Sequence, residues 1–428
     1  MSSEPPAPEL PDHYFRHEFG RLVAVLSRRF GLGRVEQCED AAQTALLRAL
    51  SSWRRSGVPD DKGAWLYRVA YNHLLDGLRR ERRAEAAGSV LLAEPEAPLP
   101  SAAPPPSDDV YLEHEVKDDE LRLLFVCADP AIARESQLVL ALKILCGFST
   151  EEIARRLFQS QEAVFKRLQR ARATLRDNAV AVDAPPVAEL AERLPAVLQM
   201  LYLLFNEGYS SADPDQLIRR ELCEEAVRLA RLLVEHSVGA RPEVDALLAL
   251  FYLHAARFDA RVDGAGGLLL LEDQDRSLWD RELIEIGLSF LQRAARGEVF
   301  SRFHVEAAIA VEHCLAASYA ETRWSEITRL YEALDRYAPS PLNTLNRAIA
   351  LAEWRGPAVG LAALDALKPP SWLLGYYLWD ATLGELYRRQ GDLPRARRHL
   401  ERALEAAPTH AEKALIRRRL GALGEAEG

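Results

Sequence analysis

The chain has 428 residues, 48% of them hydrophobic, and a formal net charge of −10. That length favours two or three cores over one, and so acidic an average argues against a nucleic-acid binder unless the charge is unevenly placed. No apolar stretch reaches about 18 residues, so no membrane span is expected. The first ten residues lack a basic start and an apolar core, so no signal peptide is expected.

The charge is in fact uneven. Tyr14–Arg83 holds fourteen basic and eight acidic residues, and Leu121–Asp177 holds ten and six. The remainder is strongly acidic. A weakly basic reader joined to a solvated acidic scaffold fits this division, although simple solubility explains the acidic part equally well. The five cysteines, at 38, 127, 146, 223 and 314, are odd in number and lie in apolar settings without a Cys-x-x-Cys pair. That pattern predicts reduced, buried thiols in a cytoplasmic protein and no zinc ribbon.

In chain order, residues 1–12 read as a disordered tail. From Tyr14 the pattern is helical, with Phe15, Phe19, Leu22, Val23 and Leu26 at the spacing of one buried face. Glu39–Trp53 repeats it with Ala42, Leu46, Ala49, Leu50 and Trp53. A third run from Lys62 to Arg83 carries Trp65, Leu66, Val69 and Leu74, after a loop marked by Gly57 and Pro59. Residues 84–108, rich in Ala, Glu and Pro, cannot bury enough to fold and predict a linker, drawn to 109. A second basic unit follows over 110–178. After Asp183-Ala-Pro-Pro the chain is helical in pattern to its end, broken at Ser210–Asp215, Asp259–Ser277, Ala338–Pro341, Lys368–Ser371 and Gly391-Asp392.

The second unit contains a helix-turn-helix pattern. Leu138–Leu145 is an apolar helix that Cys146-Gly147-Phe148 breaks. Ser149 with Glu152 forms a capping box for a short helix, Glu151–Leu157. Phe158-Gln159-Ser160 turns the chain, and Ser160 caps Gln161–Leu175. Ala163, Val164, Leu168 and Ala171 face inward there. Gln161 and Glu162 are placed for base edges, and Lys166, Arg167, Arg170 and Arg172 suit phosphates. A solvated helix face accounts for any one of these residues; the three-helix pattern is the stronger signal.

Near the C-terminus, Leu383, Gly384, Tyr387, Ala396, Leu400, Ala403 and Pro408 fall at the spacing of one tetratricopeptide unit. Earlier units around Trp324–Pro339 and Asn343–Leu367 are degenerate, and a generic helical bundle is the competing reading. Asp263-Gly-Ala-Gly-Gly267 is a turn, not a phosphate loop, since no Lys-Ser/Thr follows it.

Val139–Asp177, with Gly-Phe-Ser-Thr-Glu-Glu-Ile-Ala followed by Val164-Phe165-Lys166-Arg167-Leu168-Gln169-Arg170-Ala171-Arg172, resembles region 4 of extracytoplasmic-function sigma factors. That family usually has Val-Lys-x-Arg-x-x-Arg-Ala at this point. Glu39-Asp40-Ala-Ala-Gln43-Thr-Ala-Leu-Leu-Arg48 and Gly63-Ala-Trp65-Leu-Tyr67-Arg68-Val-Ala-Tyr-Asn72 resemble its region 2. The resemblance implies an all-α fold with two small helical sigma domains, regions 2 and 4, the latter helix-turn-helix. Region 2 (13–83) would dock through Asp40, Gln43 and Arg48 on the clamp of the largest subunit of RNA polymerase core. It would open the −10 element of promoter DNA with Trp65, Tyr67, Arg68 and Asn72, while Arg79, Arg80, Arg82 and Arg83 take phosphates. Trp65 shares a face with Val69 and is equally readable as core. Region 4 would read the −35 element with Gln161, Glu162, Lys166, Arg167 and Arg170.

Leu201–Ser210, containing Phe205-Asn206-Glu207-Gly208-Tyr209, and Leu270–Asp280, containing Glu272-Asp273-Gln274-Asp275-Arg276, resemble the C-terminal extension of one sigma subgroup. Its members end in tetratricopeptide-like helices, so residues 184–428 are expected to form such a domain, which regulates the factor by contacting the sigma regions or a signalling protein. Members commonly carry Cys-Cys-His-Pro before region 4. Here the chain has Cys127-Ala128-Asp129-Pro130, which argues against a metal or redox switch. The dense acids of 272–280 suggest a hydrolase or metal site less than a polar loop that ties hairpins together or a contact surface for region 2 or 4. Capping and packing account for Asn206, Glu207 and Tyr209.

The expected role is thus a sigma factor that supplies binding energy rather than chemistry. It is no enzyme and uses no cofactor, metal or membrane. The rival is a helix-turn-helix regulator with a helical sensor domain that binds duplex DNA without polymerase; it leaves the second basic unit unexplained.

Overall fold

The helical periodicities become nineteen α-helices among the described residues of the computed structural model, which are 12–88, 118–157, 159–177, 187–211, 217–264 and 266–426. Among them there is no strand, only one isolated bridge between Val262 and Leu268, and the chain is all-α as its pattern requires. No helix there is long and apolar enough to cross a membrane. Residues 1–11 of the expected N-terminal tail, most of the linker, the turn residue Phe158 and Asp183-Ala-Pro-Pro lie outside the described residues, and Asp12, expected in the tail, opens the first helix.

Two compact units emerge, one of residues 1–200 with 236–238 and one of 201–235 with 239–428. The first holds α1 (Asp12–Phe30), α2 (Val35–Ser56), α3 (Lys62–Gly88), α4 (Asp119–Cys127), α5 (Arg134–Ile144), α6 (Thr150–Arg156), α7 (Gln161–Asp177) and the first half of α8 (Val187–Tyr209). Leu22, Val23 and Leu26 of α1 close one core with Ala42, Leu46, Ala49 and Trp53 of α2 and Leu66, Leu74 and Leu78 of α3. α3 runs to Gly88, past the expected end at Arg83, because Ala84–Ala87 is a strong helix-forming run.

The two basic segments, expected as separate domains, pack into this one unit. Gly20 of α1 lies so close to the end of α5 that a Cβ there would sit 2.1 Å from the Leu145 carbonyl oxygen. Arg28 of α1 reaches Asp119 of α4 at 3.2 Å. The first half of α8 also belongs here. Its buried Arg193 donates to the Phe125 carbonyl at 3.2 Å and pairs with Asp129 at 2.8 Å. An unpaired guanidinium could not be buried cheaply, so this arginine ties α8 to the end of α4.

The second unit continues from α8 through α9 (Arg220–Glu235), α10 (Pro242–Ala255), α11 (Arg281–Ala294) and α12 (Arg302–Leu315). It ends with α13 (Trp324–Tyr337), α14 (Pro341–Arg355), α15 (Pro357–Asp365), α16 (Ser371–Leu374), α17 (Tyr377–Gln390), α18 (Leu393–Ala406) and α19 (His410–Ala426). Among the described residues the expected breaks fall at junctions of α-helices, with Pro341 and Ser371 already opening α14 and α16; 212–215 of the first break and 265 of the second lie outside the described residues. Further breaks at 295–301 and 316–323 carry too few Gly and Pro to stand out in the sequence. All five cysteines are free and buried, and burial pushes the Cys38 thiol up to about 12, so that thiol is no ready nucleophile.

Candidate polymerase and nucleic-acid interface

α2 buries Cys38, Ala41, Ala45, Leu46, Ala49 and Trp53 and turns Asp40, Gln43, Leu47, Arg48 and Leu50 to solvent. The three expected core-contact residues therefore share an exposed stripe. Leu47, 60% exposed, and Leu50 join it; helical spacing alone leaves the first unassigned and puts the second in the core. Their signal is an aliphatic residue out of phase with the buried face.

Asp61 starts α3 by accepting from the Ala64 amide at 2.8 Å. Burial of Leu66, Ala70, Leu74 and Leu78 then leaves Arg68, Asn72, Arg79, Arg80 and Arg83 exposed along one side. Arg79 pairs with exposed Asp76 at 3.5 Å, a contact worth little in water. Arg82 is half-buried. Trp65 is also half-buried, with its ring edge-on to Trp53 at 5.4 Å. Tyr67 is inside, its ring 5.8 Å from Tyr71, and burial pushes its phenol upward. It supports the α3 surface from within and is not on the stripe.

In the α5–α7 segment, where a helix-turn-helix is expected, Gly147 adopts φ 63° to leave α5. Ser149 Oγ accepts from the Glu152 amide at 3.1 Å, and Glu152 accepts from the Ser149 amide at 2.7 Å, which completes the expected capping box. Ser160 Oγ accepts from the Ala163 amide at 3.2 Å and starts α7. Ile153 and Ala154 of α6 pack inward with Val164, Leu168, Ala171 and Leu175 of α7. Gln161 Nε2 donates to Thr150 Oγ1 at 3.2 Å and ties the two helices at their starts.

The outer face of α7 then consists of Gln161, Glu162, Phe165, Lys166, Gln169 and Arg170. Glu162 and Lys166 pair at 2.6 Å across one turn. Two expected phosphate-binding arginines are turned elsewhere. Arg167 pairs with Glu135 at 2.6 Å and donates to Gln159, bracing α7 against α5. Arg172 reaches α2, pairing with Glu36 at 3.1 Å and with Glu39.

The polar motifs of the second unit hold their own fold together. Buried Glu207 accepts from Ser211 Oγ at 3.1 Å and lies 3.9 Å from Arg219. Tyr209 lies under the Arg261 guanidinium at 3.8 Å and beside His254 at 4.8 Å. Burial, with Arg257 and Arg261 close by, holds that imidazole down at about 3. Gln274 accepts from Arg257 at 3.1 Å. Asp275 and Asp280 cap the helical turns that follow them. Arg276 donates to the carbonyls of His313 and Ala316 and stacks over Trp279 at 4.7 Å. The segment is thus a polar loop that ties helices together. Among the described residues no group of three or more His, Cys, Asp or Glu could hold a metal ion.

The chain is thus a helical first unit with exposed polar and cationic faces on α2, α3 and α7, followed in sequence by a helical extension. Residues 15–84 match the sigma-70 region 2 family, and residues 193–295 match a family of unknown function (DUF6596). An uncharacterized protein of Rhizobium meliloti (strain 1021) is 39% identical over 388 residues, covering 90% of each chain. The chain belongs to one family with that protein. The ECF RNA polymerase sigma factor SigG of Mycobacterium tuberculosis, from two strains, is 27% identical over 188 residues, covering 39% of this chain and 50% of that one. The region 2 match and this likeness support a sigma-factor role. No solved structure matches.

Proposed function

We propose that the chain binds RNA polymerase core as a sigma factor and directs it to promoters through their −10 and −35 elements. The observation that carries this is the region 2 match over 15–84, on a domain whose α2 exposes Asp40, Gln43, Leu47 and Arg48 while α3 exposes Arg68, Asn72, Arg79, Arg80 and Arg83. An exposed mixed stripe on α2 suits docking to a helical clamp. A cationic stripe with half-buried Trp65 beside it suits a separated strand, because backbone charge and base stacking are the two handles such a strand offers. Tyr67 positions this surface from within.

The capped α6–α7 pair supplies the second hand. Gln161, Glu162, Lys166 and Arg170 project toward a major groove, and Arg167 fixes the helix that bears them. The residues that follow, read as tetratricopeptide-like hairpins, regulate the factor. The close fit of Leu400, Ala396 and Ala403 against Gly384 and Ala381 supports that reading of the last hairpin. The contact between α7 and α2 holds both readers together in one unit, and spanning two promoter elements requires it to open.

The test is transcription in vitro with purified core polymerase, using the full chain and a chain ending at Met200, which keeps all of the first unit but 236–238. Co-elution with core and new start sites are expected from the full chain. Duplex binding without association with core favours instead the regulator with a helical sensor domain. Equal activity from both chains removes the regulatory role.

A further inference from the structure

The outer face of α7 carries one residue that neither the fold nor phosphate binding accounts for. Phe165 is 53% exposed, whereas Val164, Leu168, Ala171 and Leu175 on the same helix are at most 3% exposed. Its ring has no aromatic or cationic partner among the described residues. It lies in the second turn of a helix that starts at Gln161, between Glu162 one turn before and Gln169 one turn after. The Glu162–Lys166 pair runs alongside it. The most apolar side chain of that face thus stands at its centre, in the half of the helix that reaches base edges in a helix-turn-helix.

We infer that Phe165 determines sequence specificity by packing on the 5-methyl group of a thymine in the upstream promoter element. A phenyl ring has neither donor nor acceptor, so it cannot read the hydrogen-bond pattern of the major groove. The one apolar feature displayed there is the thymine methyl. Wedging between bases is a minor-groove device, and α7 has the form of a major-groove helix. The neighbours leave the ring this task. Gln161 and Glu162 offer hydrogen-bonding groups for base edges, and Lys166 and Arg170 carry charge suited to phosphates. Contact with the methyl also removes the ring from water, which turns a surface liability into binding energy.

This inference rests on α7 being the recognition helix, and the experiment separates the two. Holoenzyme made from core polymerase and the full chain selects duplexes from a library randomised in the upstream element. Each thymine of the selected element is then replaced singly by deoxyuridine, which removes the methyl and keeps every hydrogen bond. One replacement is expected to weaken wild-type binding by about fourfold, the value of one buried methylene. Phe165→Ala should bind the thymine duplex as weakly as the wild type binds the deoxyuridine duplex, and lose the distinction between them. Phe165→Leu should keep part of it. Circular dichroism shows whether the variants retain their helices. A selected element indifferent to every deoxyuridine, or a Phe165→Ala variant as sensitive as wild type, overturns the inference and leaves the sigma reading standing; Phe165 would then face a protein partner. Failure to select any duplex overturns both.

Discussion

Replacing Arg172 by alanine tests whether α7 is held on α2 by a buried ion pair. The Arg172 side chain is 11% exposed and that of Glu39 10%, whereas Glu36 is 43% exposed. The Glu36 contact is therefore largely screened and is worth at most about 1 kcal/mol. The Glu39 contact is different, since truncating Arg172 leaves a buried carboxylate with Lys143 as its remaining nearby cation. Breaking such a pair costs about 3–5 kcal/mol. At about 2–4 °C per kcal/mol for a unit of this size, the midpoint of its thermal transition should fall by about 10 °C.

The sign of the pH dependence is also determined. Burial, partly countered by Arg172, holds the Glu39 carboxyl above its usual range. A raised carboxyl binds its proton more tightly in the folded chain than in the unfolded one. Its favourable contribution is complete below the ordinary carboxylate value and is lost as pH rises through the folded value. Without Arg172 the folded value climbs further. The deficit of Arg172→Ala is therefore full near neutrality and narrows on acidification. The assay is calorimetry of the full chain across pH, with amide exchange on α2 and α7 to place the transition. Glu39→Gln, which removes the charge and keeps the shape, should relieve most of the Arg172→Ala deficit in the double variant. A deficit below about 1 kcal/mol, typical of an exposed pair, or one that does not change with pH, refutes the reasoning.

Three further outcomes follow from the geometry. Ser149→Ala removes half of the capping box and should cost about 1 kcal/mol in urea denaturation, and Ser149→Asp should restore it. Arg276→Ala leaves the His313 and Ala316 carbonyls without their donor and should destabilise the second unit by about 2–4 kcal/mol, seen as lost amide protection in α11 and α12. Arg276→Lys should recover only part, because one ammonium cannot span the same acceptors. Replacing Arg79, Arg80 and Arg83 together by alanine should lower the slope of log affinity against log salt by about 2–3 for promoter DNA, with little change in the melting temperature.

What the amino-acid sequence reveals divides by the range of the interaction. The capping box at Ser149 and Glu152, the cap at Ser160 and the buried faces of α2, α3 and α7 depend on residues three or four apart, and each is legible from local spacing. The same holds for the polar segment around Gln274 and Arg276, where density of charge without metal-ligand spacing already favours a tying loop. Long-range partners are another matter. Periodicity puts Arg172 on α7 and Glu39 on α2, but 133 residues separate them, and only the packing of one segment on the other brings them together. Arg167 suits phosphate by type and position for the same reason, since its acceptor Glu135 lies two helices away and takes it out of that role. Tyr67 shows the complementary limit. A tyrosine in a basic helix suits a base-stacking role by type, and only the packing of α3 on α1 and α2 sets it inside. Arg193 extends the point to domain boundaries. The Pro-rich composition of 183–186 suggests a boundary in the sequence, yet the core of the first unit takes in the start of α8. Residue type and spacing therefore delimit which side chains are able to meet DNA or polymerase, and the pairing of charged groups across helices decides which of them remain free to do so.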